Sequence, residues 1–76
     1  MHIGKGDLVT LSNDRKYLVL SKVEYEGENY LYLTSSDEPY EIMIVREKNK
    51  LEIITDEELI KNLSILFYKD IKDLLV

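Results

Sequence analysis

The chain has 76 residues, a formal net charge of −5, one histidine and no cysteine. This length predicts a single domain, residues 1–76, with a thin core, and the lack of cysteine excludes a disulfide-stabilised secreted scaffold. Hydrophobic residues make up 45% of the chain, which excludes a disordered acidic tail.

Short β-rich runs separated by turn residues fill the first three quarters of the chain, a pattern typical of an antiparallel meander. The predicted strands are about residues 7–11, 16–25, 29–35, 40–47 and 51–54. Gly27 supplies the glycine that a tight hairpin needs between the second and third strands, and Pro39 lies in the next turn. These runs predict a curved five-stranded sheet, of which an SH3-like small barrel is the more closed version.

From Thr55 the hydrophobic period lengthens to three or four residues, which indicates an amphipathic helix over about residues 56–74. Thr55 and Glu58 have the spacing of a capping box, and three acids in the first turn suit the positive end of the helix dipole. The apolar stripe consists of Leu59, Leu63, Leu66, Phe67, Ile71, Leu74 and Leu75. The predicted fold class is therefore α+β, with one C-terminal helix.

Side chains alternate across a strand, and this alternation predicts two apolar sheet faces. One face, rich in tyrosine, carries Tyr17, Val19, Val23, Tyr25, Tyr30, Tyr32, Met43 and Val45. The other face, rich in leucine, carries Leu18, Leu20, Leu31, Leu33, Ile42 and Ile44. One helix covers only one face, and we predict that its leucine-rich stripe covers the leucine face.

The tyrosine face then needs another cover, because leaving its aromatic rings in water would cost several kcal/mol in a small domain. Three outcomes stay open at this point. The strands can curl into a barrel that encloses part of the aromatic set, or the face can pair with a second copy as a homodimer. Alternatively, it can bind a different protein, since tyrosine is enriched at interfaces.

An acidic segment without lysine or arginine lies between Glu24 and Glu41. Its carboxylates are Glu24, Glu26, Glu28, Asp37, Glu38 and Glu41. Such a segment repels nucleic acid and anionic membranes, or it imitates nucleic acid toward a basic partner. The same acids also keep hairpin tips soluble and discourage edge-to-edge pairing. Because the isoelectric point is about 4.8, we predict no direct binding of nucleic acid.

Catalytic chemistry is not predicted. His2 is the only histidine and lies at a terminus, so no Ser/His/Asp arrangement can be assembled. The glycines of residues 4–7 lack the spacing of a phosphate-binding loop, and the acids of residues 56–58 are explained by helix capping. We therefore predict no enzyme activity, no catalytic residue, no metal and no cofactor.

Two functions follow from these patterns. The first is a small non-catalytic interaction module that acts on itself or on a protein partner through Tyr17, Tyr25, Tyr30 and Tyr32. The alternative is an acidic nucleic-acid mimic of the phage anti-defence type, which blocks a basic nucleic-acid-binding protein with the six acids. Without a signal-peptide pattern or a run of about 18 apolar residues, the sequence predicts a cytoplasmic location and no membrane contact.

Three segments resemble the YrzB-like proteins, short bacterial chains common in Firmicutes. Residues 16–20, 23–33 and 51–59 carry the resemblance: a strand, an acidic hairpin leading to a tyrosine strand, and an acidic helix start. The chain departs from that pattern in the opening of residues 4–9, which looks more like the start of an SH3-like barrel, and in a longer helix. The resemblance implies no activity and no site residues.

Overall fold

The computed structural model describes residues 2–72, which form a five-stranded antiparallel sheet and one helix. Strands β1 to β5 span Leu8–Thr10, Lys16–Tyr25, Glu28–Ser35, Ile42–Glu47 and Leu51–Ile53, and helix α1 spans Glu57–Lys72. The strands neighbour one another in chain order, so β1 and β5 are the two edges. The sheet curls into a half-barrel. The predicted α+β fold class is confirmed.

The helix begins with a cap that differs from the prediction. The Asp56 carboxylate accepts hydrogen bonds from the backbone N–H groups of Glu58 at 3.0 Å and Leu59 at 3.4 Å. The N-cap is therefore Asp56, one residue later than the predicted capping box at Thr55, because an aspartate preceding the first turn reaches the same free N–H groups. Residues 73 and 74, which the sequence predicted to be helical, lie outside the described residues.

The hairpin between β2 and β3 has the geometry that its sequence predicts. Tyr25 pairs with Glu28, which leaves a loop of two residues, Glu26 and Gly27. Both have positive φ angles, 50° and 80°, as a type I′ turn requires. The twist of this turn matches the twist of the flanking strands, so it fixes the register of the longest strand pair in the sheet.

A β-bulge in β2 divides the strand into two halves. Val19 pairs with Leu33, whereas Ser21 pairs with Tyr32, so the register shifts by one residue between them. Because side chains alternate with a period of two, this shift reverses the face to which odd-numbered residues point. Tyr17 and Val19 consequently lie on the face of Leu33. The prediction that Tyr17 shares a face with Tyr32 is wrong.

The sheet curls around one apolar cluster, which we call the barrel core. It consists of Val9, Leu11, Tyr17, Val19, Leu31, Leu33 and Val45, with Ile3, Met43 and Leu51 packed against it. Residues from both edge strands and from the central β3 meet here, which requires the sheet to be curved. Curling is one of the three outcomes left open above, and it encloses Tyr17 completely.

Helix α1 covers the opposite face of the sheet and forms the second cluster, the helix core. Its buried members are Tyr30, Ile44, Leu63 and Phe67, and partly buried around them lie Val23, Tyr25, Tyr32, Ile54, Leu59, Ile60, Leu66 and Ile71. The rings of Tyr32 and Phe67 pack with centroids 5.3 Å apart. The prediction that the helix covers the leucine face is therefore wrong.

The register of β4 explains this second difference. Ile44 pairs with Tyr32, and Met43 pairs with Leu33, so Ile44 joins the tyrosines rather than the leucines as predicted. The turn at Pro39 does not preserve the parity of the first hairpin. Since curling already encloses the face that carries Leu31 and Leu33, the face left for the helix is the one that carries Tyr32.

The N-terminal segment is fastened over the barrel core. The backbone N–H of Ile3 donates to Glu47 Oε2 at 3.1 Å, and Lys22 Nζ donates to the carbonyl oxygen of Ile3 at 2.8 Å. Lys22 also forms an ion pair of 3.1 Å with the buried Glu47 carboxylate. A buried charge needs such partners, and these contacts hold Ile3 against the core.

Candidate functional site

The four tyrosines predicted to bind a partner pack inside the protein, in or against its two cores. Tyr17 is buried in the barrel core, and Tyr30 is buried in the helix core. Tyr25 and Tyr32 are half-buried beneath α1. The Tyr17 hydroxyl also donates to Glu41 Oε1 at 2.8 Å. Since curling closes one face and the helix closes the other, the structure does not gather these side chains on one open surface.

The six predicted acids lie in two groups at opposite ends of β3. Glu24, Glu26 and Glu28 surround the β2–β3 hairpin, whereas Asp37, Glu38 and Glu41 belong to the β3–β4 connection. The eight residues of β3 separate the groups by about 25 Å, at the usual rise of a strand. The acidic segment is continuous in sequence but divided in space.

Ion pairs occupy half of these acids. Glu28 lies 3.4 Å from Lys48, and Arg15 pairs with both Asp37 and Glu41. Arg15 Nη2 also donates to the carbonyl oxygen of Pro39 at 2.7 Å. These contacts hold the β3–β4 connection against the β1–β2 turn, so the paired acids have a structural role that the sequence did not predict.

A groove separates the two edges of the sheet, and we call it the seam. It is lined by Ile3, by residues 8–12 at the first edge and by residues 49–53 at the last. Its volume is about 800 Å³, within the usual range of about 300–1,000 Å³ for ligand-binding pockets. Leu8 and Ile53 are 62% and 50% exposed beside it. The seam is thus an apolar opening where the half-barrel does not close.

The β1 edge presents unpaired backbone groups to the seam. The backbone N–H of Leu11 donates to the carbonyl oxygen of Arg15 at 3.1 Å, which makes residue 11 one of the hydrogen-bonded positions of the β1–β2 pair. Such positions alternate along an antiparallel strand. The N–H and C=O groups of Leu8 and Thr10 therefore point away from β2 and toward the seam.

The β5 edge has the same arrangement. The backbone N–H of Ile54 donates to the carbonyl oxygen of Ile44 at 2.9 Å, which fixes the hydrogen-bonded positions of the β4–β5 pair. By the same alternation, the N–H and C=O groups of Leu51 and Ile53 point away from β4. Both sides of the seam thus offer main-chain donors and acceptors for an additional strand.

The charged side chains that line the seam differ in their pairing. Glu52 forms an ion pair with Arg46 at 3.9 Å. Arg46 in turn donates to the Tyr30 hydroxyl, and this hydrogen bond is the main cause of the raised pKa of its guanidinium. Lys50 makes no ion pair with any other residue in the range 2–72. Among the residues that line the seam, Lys50 therefore carries a positive charge that no carboxylate within residues 2–72 pairs.

The sequence predicts both edge strands but gives no signal that their residues form a site. The first and last strands of an open meander are always its edges, so strand order alone could have identified Leu8 and Ile53. Strand order does not reveal that the two edges face each other across an apolar groove, because that depends on how strongly the sheet curls.

Another polar contact fastens the helix to the sheet. Asp70 Oδ2 lies 2.8 Å from Lys5 Nζ and accepts a hydrogen bond from the fully buried Ser21. The hydrogen bond from Lys5, followed by that from Ser21, holds the pKa of Asp70 below its ordinary value of 3.8. The ionised carboxylate is therefore the form that the fold prefers.

We expect this contact to make stability depend on acid pH. Because the pKa of Asp70 is lower in the folded protein, its stabilisation is complete above the unfolded value of 3.8 and is lost as pH falls through the folded value. Asp70→Asn should flatten the fall in the free energy of unfolding below about pH 4, measured by urea unfolding. Asp14→Asn is the control, since Asp14 makes no ion pair within the described residues. Equal pH slopes for Asp70→Asn and the unmodified protein would contradict this assignment.

Within residues 2–72, no group of three or more His, Cys, Asp and Glu side chains could hold a metal ion. The helix in this part of the chain lacks the length and hydropathy needed to cross a membrane.

Compared with known proteins, the chain matches no protein-family model, no curated protein and no solved structure. Its resemblance to the YrzB-like proteins therefore stays a prediction.

Proposed function

We propose that the protein is a non-catalytic interaction module that binds an extended segment of a partner protein in the seam. The supporting observation is an apolar groove with unpaired backbone groups on both of its sides. Extended peptides bind exposed sheet edges through main-chain hydrogen bonds, and pockets for alternate side chains give specificity. A cytoplasmic location is part of the proposal, because a small domain without cysteine fits a reducing compartment.

This proposal moves the binding surface from the tyrosines to the sheet edges. The tyrosines already stabilise the two cores, whereas Leu8 and Ile53 are exposed beside unpaired backbone groups. The acidic-mimic alternative has less support, because its carboxylates form two separated groups and Arg15 or Lys48 pairs with half of them.

The test uses a synthetic peptide of seven residues in which valine and threonine alternate. Amide hydrogen exchange, followed by NMR, reports on Leu8, Thr10, Leu51 and Ile53. These amides should exchange rapidly in the free protein, since they have no partner within the sheet. Saturating peptide should slow their exchange by at least about tenfold, because a backbone hydrogen bond protects an amide. A peptide of the same composition with its valines contiguous is the control.

Two exposed isoleucines provide a matched pair of variants. Ile53 lies at the seam and Ile65 lies on α1, and they are 50% and 53% exposed. Ile53→Lys should weaken binding of the alternating peptide, because a charged side chain on an edge opposes strand addition. Ile65→Lys should leave the affinity unchanged. Absence of protection at the seam amides, or equal weakening by both substitutions, would remove the proposed function.

A further inference from the structure

The strand order fixes the relative direction of the two edges. Each of the four neighbouring pairs from β1 to β5 is antiparallel. Every step across the sheet therefore reverses direction, and four reversals leave β1 and β5 running in the same sense. A strand placed between them is either antiparallel to both or parallel to both.

We propose that the partner segment enters the seam as a sixth strand, antiparallel to both β1 and β5, and so closes the half-barrel. This inference rests on the proposed function and adds the direction and chemistry of the segment. With six strands, every neighbouring pair in the sheet is antiparallel, which is the more stable pairing. Closure also removes both exposed edges.

The backbone groups of a single strand match the pattern that both edges of the seam present. Successive residues of an extended chain point their backbone groups alternately to the left and to the right. The outward groups of Leu8 and Thr10 face one side of such a strand, and those of Leu51 and Ile53 face the other. Each edge strand has three residues, so pairing covers about 10 Å.

The lining of the seam specifies the side chains of the segment. Val9 and Leu11 belong to the barrel core, Leu51 packs against it, and all three line the seam. Alternate side chains of an inserted strand point toward that core, and we therefore assign apolar residues to those positions. The intervening side chains face outward to solvent and are polar.

The positive charge of Lys50, which lacks a carboxylate partner in the described part of the chain, specifies one end of the segment. Lys50 directly precedes β5, and an antiparallel neighbour places its C-terminal end beside the start of that strand. Glu52 cannot neutralise Lys50 while it is paired with Arg46. An acidic side chain near the C-terminal end of the partner segment therefore complements the seam.

The direction is tested with two peptides that have blocked termini and alternating valine and threonine. One carries a glutamate at its C-terminal end, and the other carries it at its N-terminal end. The first should bind about threefold more tightly, the size expected of an exposed ion pair. Lys50→Ala should abolish this difference. Lys48→Ala is the matched control, because Lys48 already pairs with Glu28, and it should preserve the difference. Tighter binding of the N-terminal version would overturn the antiparallel direction without affecting the proposed function.

Closure is tested by removing a donor from each edge in turn. Thr10→Pro and Ile53→Pro each delete an N–H group that faces the seam and leave the ladders to β2 and β4 intact. Each should weaken peptide binding by about 3- to 10-fold, the equivalent of one hydrogen bond. Weakening by only one substitution would mean addition to a single edge and would overturn closure.

Peptides methylated on alternate backbone nitrogens repeat this test on the unmodified protein, in case a proline variant fails to fold. Methylation at odd or at even positions blocks pairing with one edge only, so both series should weaken binding.

Sedimentation of the protein alone tests whether a second copy of the chain occupies the seam. A dimer with protected seam amides would identify a second copy as the sixth strand and overturn the partner segment. Failure of every peptide to protect the seam amides would remove the proposed function itself.

Discussion

Replacing Phe67 with alanine should lower the free energy of unfolding by about 3–5 kcal/mol, as is usual for a buried phenylalanine. Phe67 is 1% exposed and lies in the centre of the helix core. Its ring packs on Tyr32 at a centroid distance of 5.3 Å, so truncation opens a cavity between α1 and the sheet. Urea unfolding followed by circular dichroism measures the change, and fluorescence of the tyrosines follows the exposure of the covered face.

The neighbouring aromatic residue supplies the control. Tyr68 is 68% exposed on the same helix, and Tyr68→Ala should change the free energy of unfolding by about 0.5 kcal/mol or less. Phe67→Leu should cost much less than the alanine variant, because it retains most of the buried volume, and it keeps the comparison possible if Phe67→Ala does not fold. Equal effects at Phe67 and Tyr68 would contradict the position of the helix over the sheet.

Tyr17→Ala should cost a similar amount, about 3–5 kcal/mol, although the sequence placed this residue on a binding surface. Tyr17 is completely buried in the barrel core. Its hydroxyl donates to Glu41 and accepts from Asn13 Nδ2 at 3.0 Å. Truncation therefore leaves a cavity and removes a link between the β1–β2 turn and the β3–β4 connection. The same urea titration reports the loss.

Two other tyrosine variants make this test specific. Tyr40 is 69% exposed, and Tyr40→Ala should have little effect on stability. Tyr17→Phe keeps the ring but deletes both hydroxyl contacts, and should cost about 1–3 kcal/mol because the polar partners lose hydrogen bonds. A Tyr17→Ala variant as stable as Tyr40→Ala would show that the ring lies on an open surface, as the predicted partner-binding role of Tyr17 requires.

Local signals account for the parts of the fold that were predicted well. The runs of β-branched and aromatic residues placed each strand within two residues of its observed bounds. The glycine at position 27 predicted a tight hairpin, and the change of hydrophobic period at Thr55 predicted the helix. Each of these features is decided by residues within a few positions of one another, through backbone sterics and side-chain alternation.

The errors in face assignment come from strand register, which differed from the prediction at two places. The bulge between Val19 and Ser21 reverses the two faces of β2, and no residue in that segment predicts a bulge. A single extra residue in a strand exchanges its inner and outer side chains. The second place is β4: Ile44 was assigned to the wrong face because the length of the turn at Pro39 left the register of β4 undetermined.

The candidate site shows the same division. The amino-acid sequence by itself determined that β1 and β5 are the edges of a meander and that the chain holds more apolar surface than one helix can cover. Only the tertiary structure decided that curling buries Tyr17, that α1 covers Tyr30 and Tyr32, and that the remaining opening lies between the two edges. Strand formation depends on neighbouring residues, whereas curvature and register depend on the simultaneous packing of side chains that are distant in sequence.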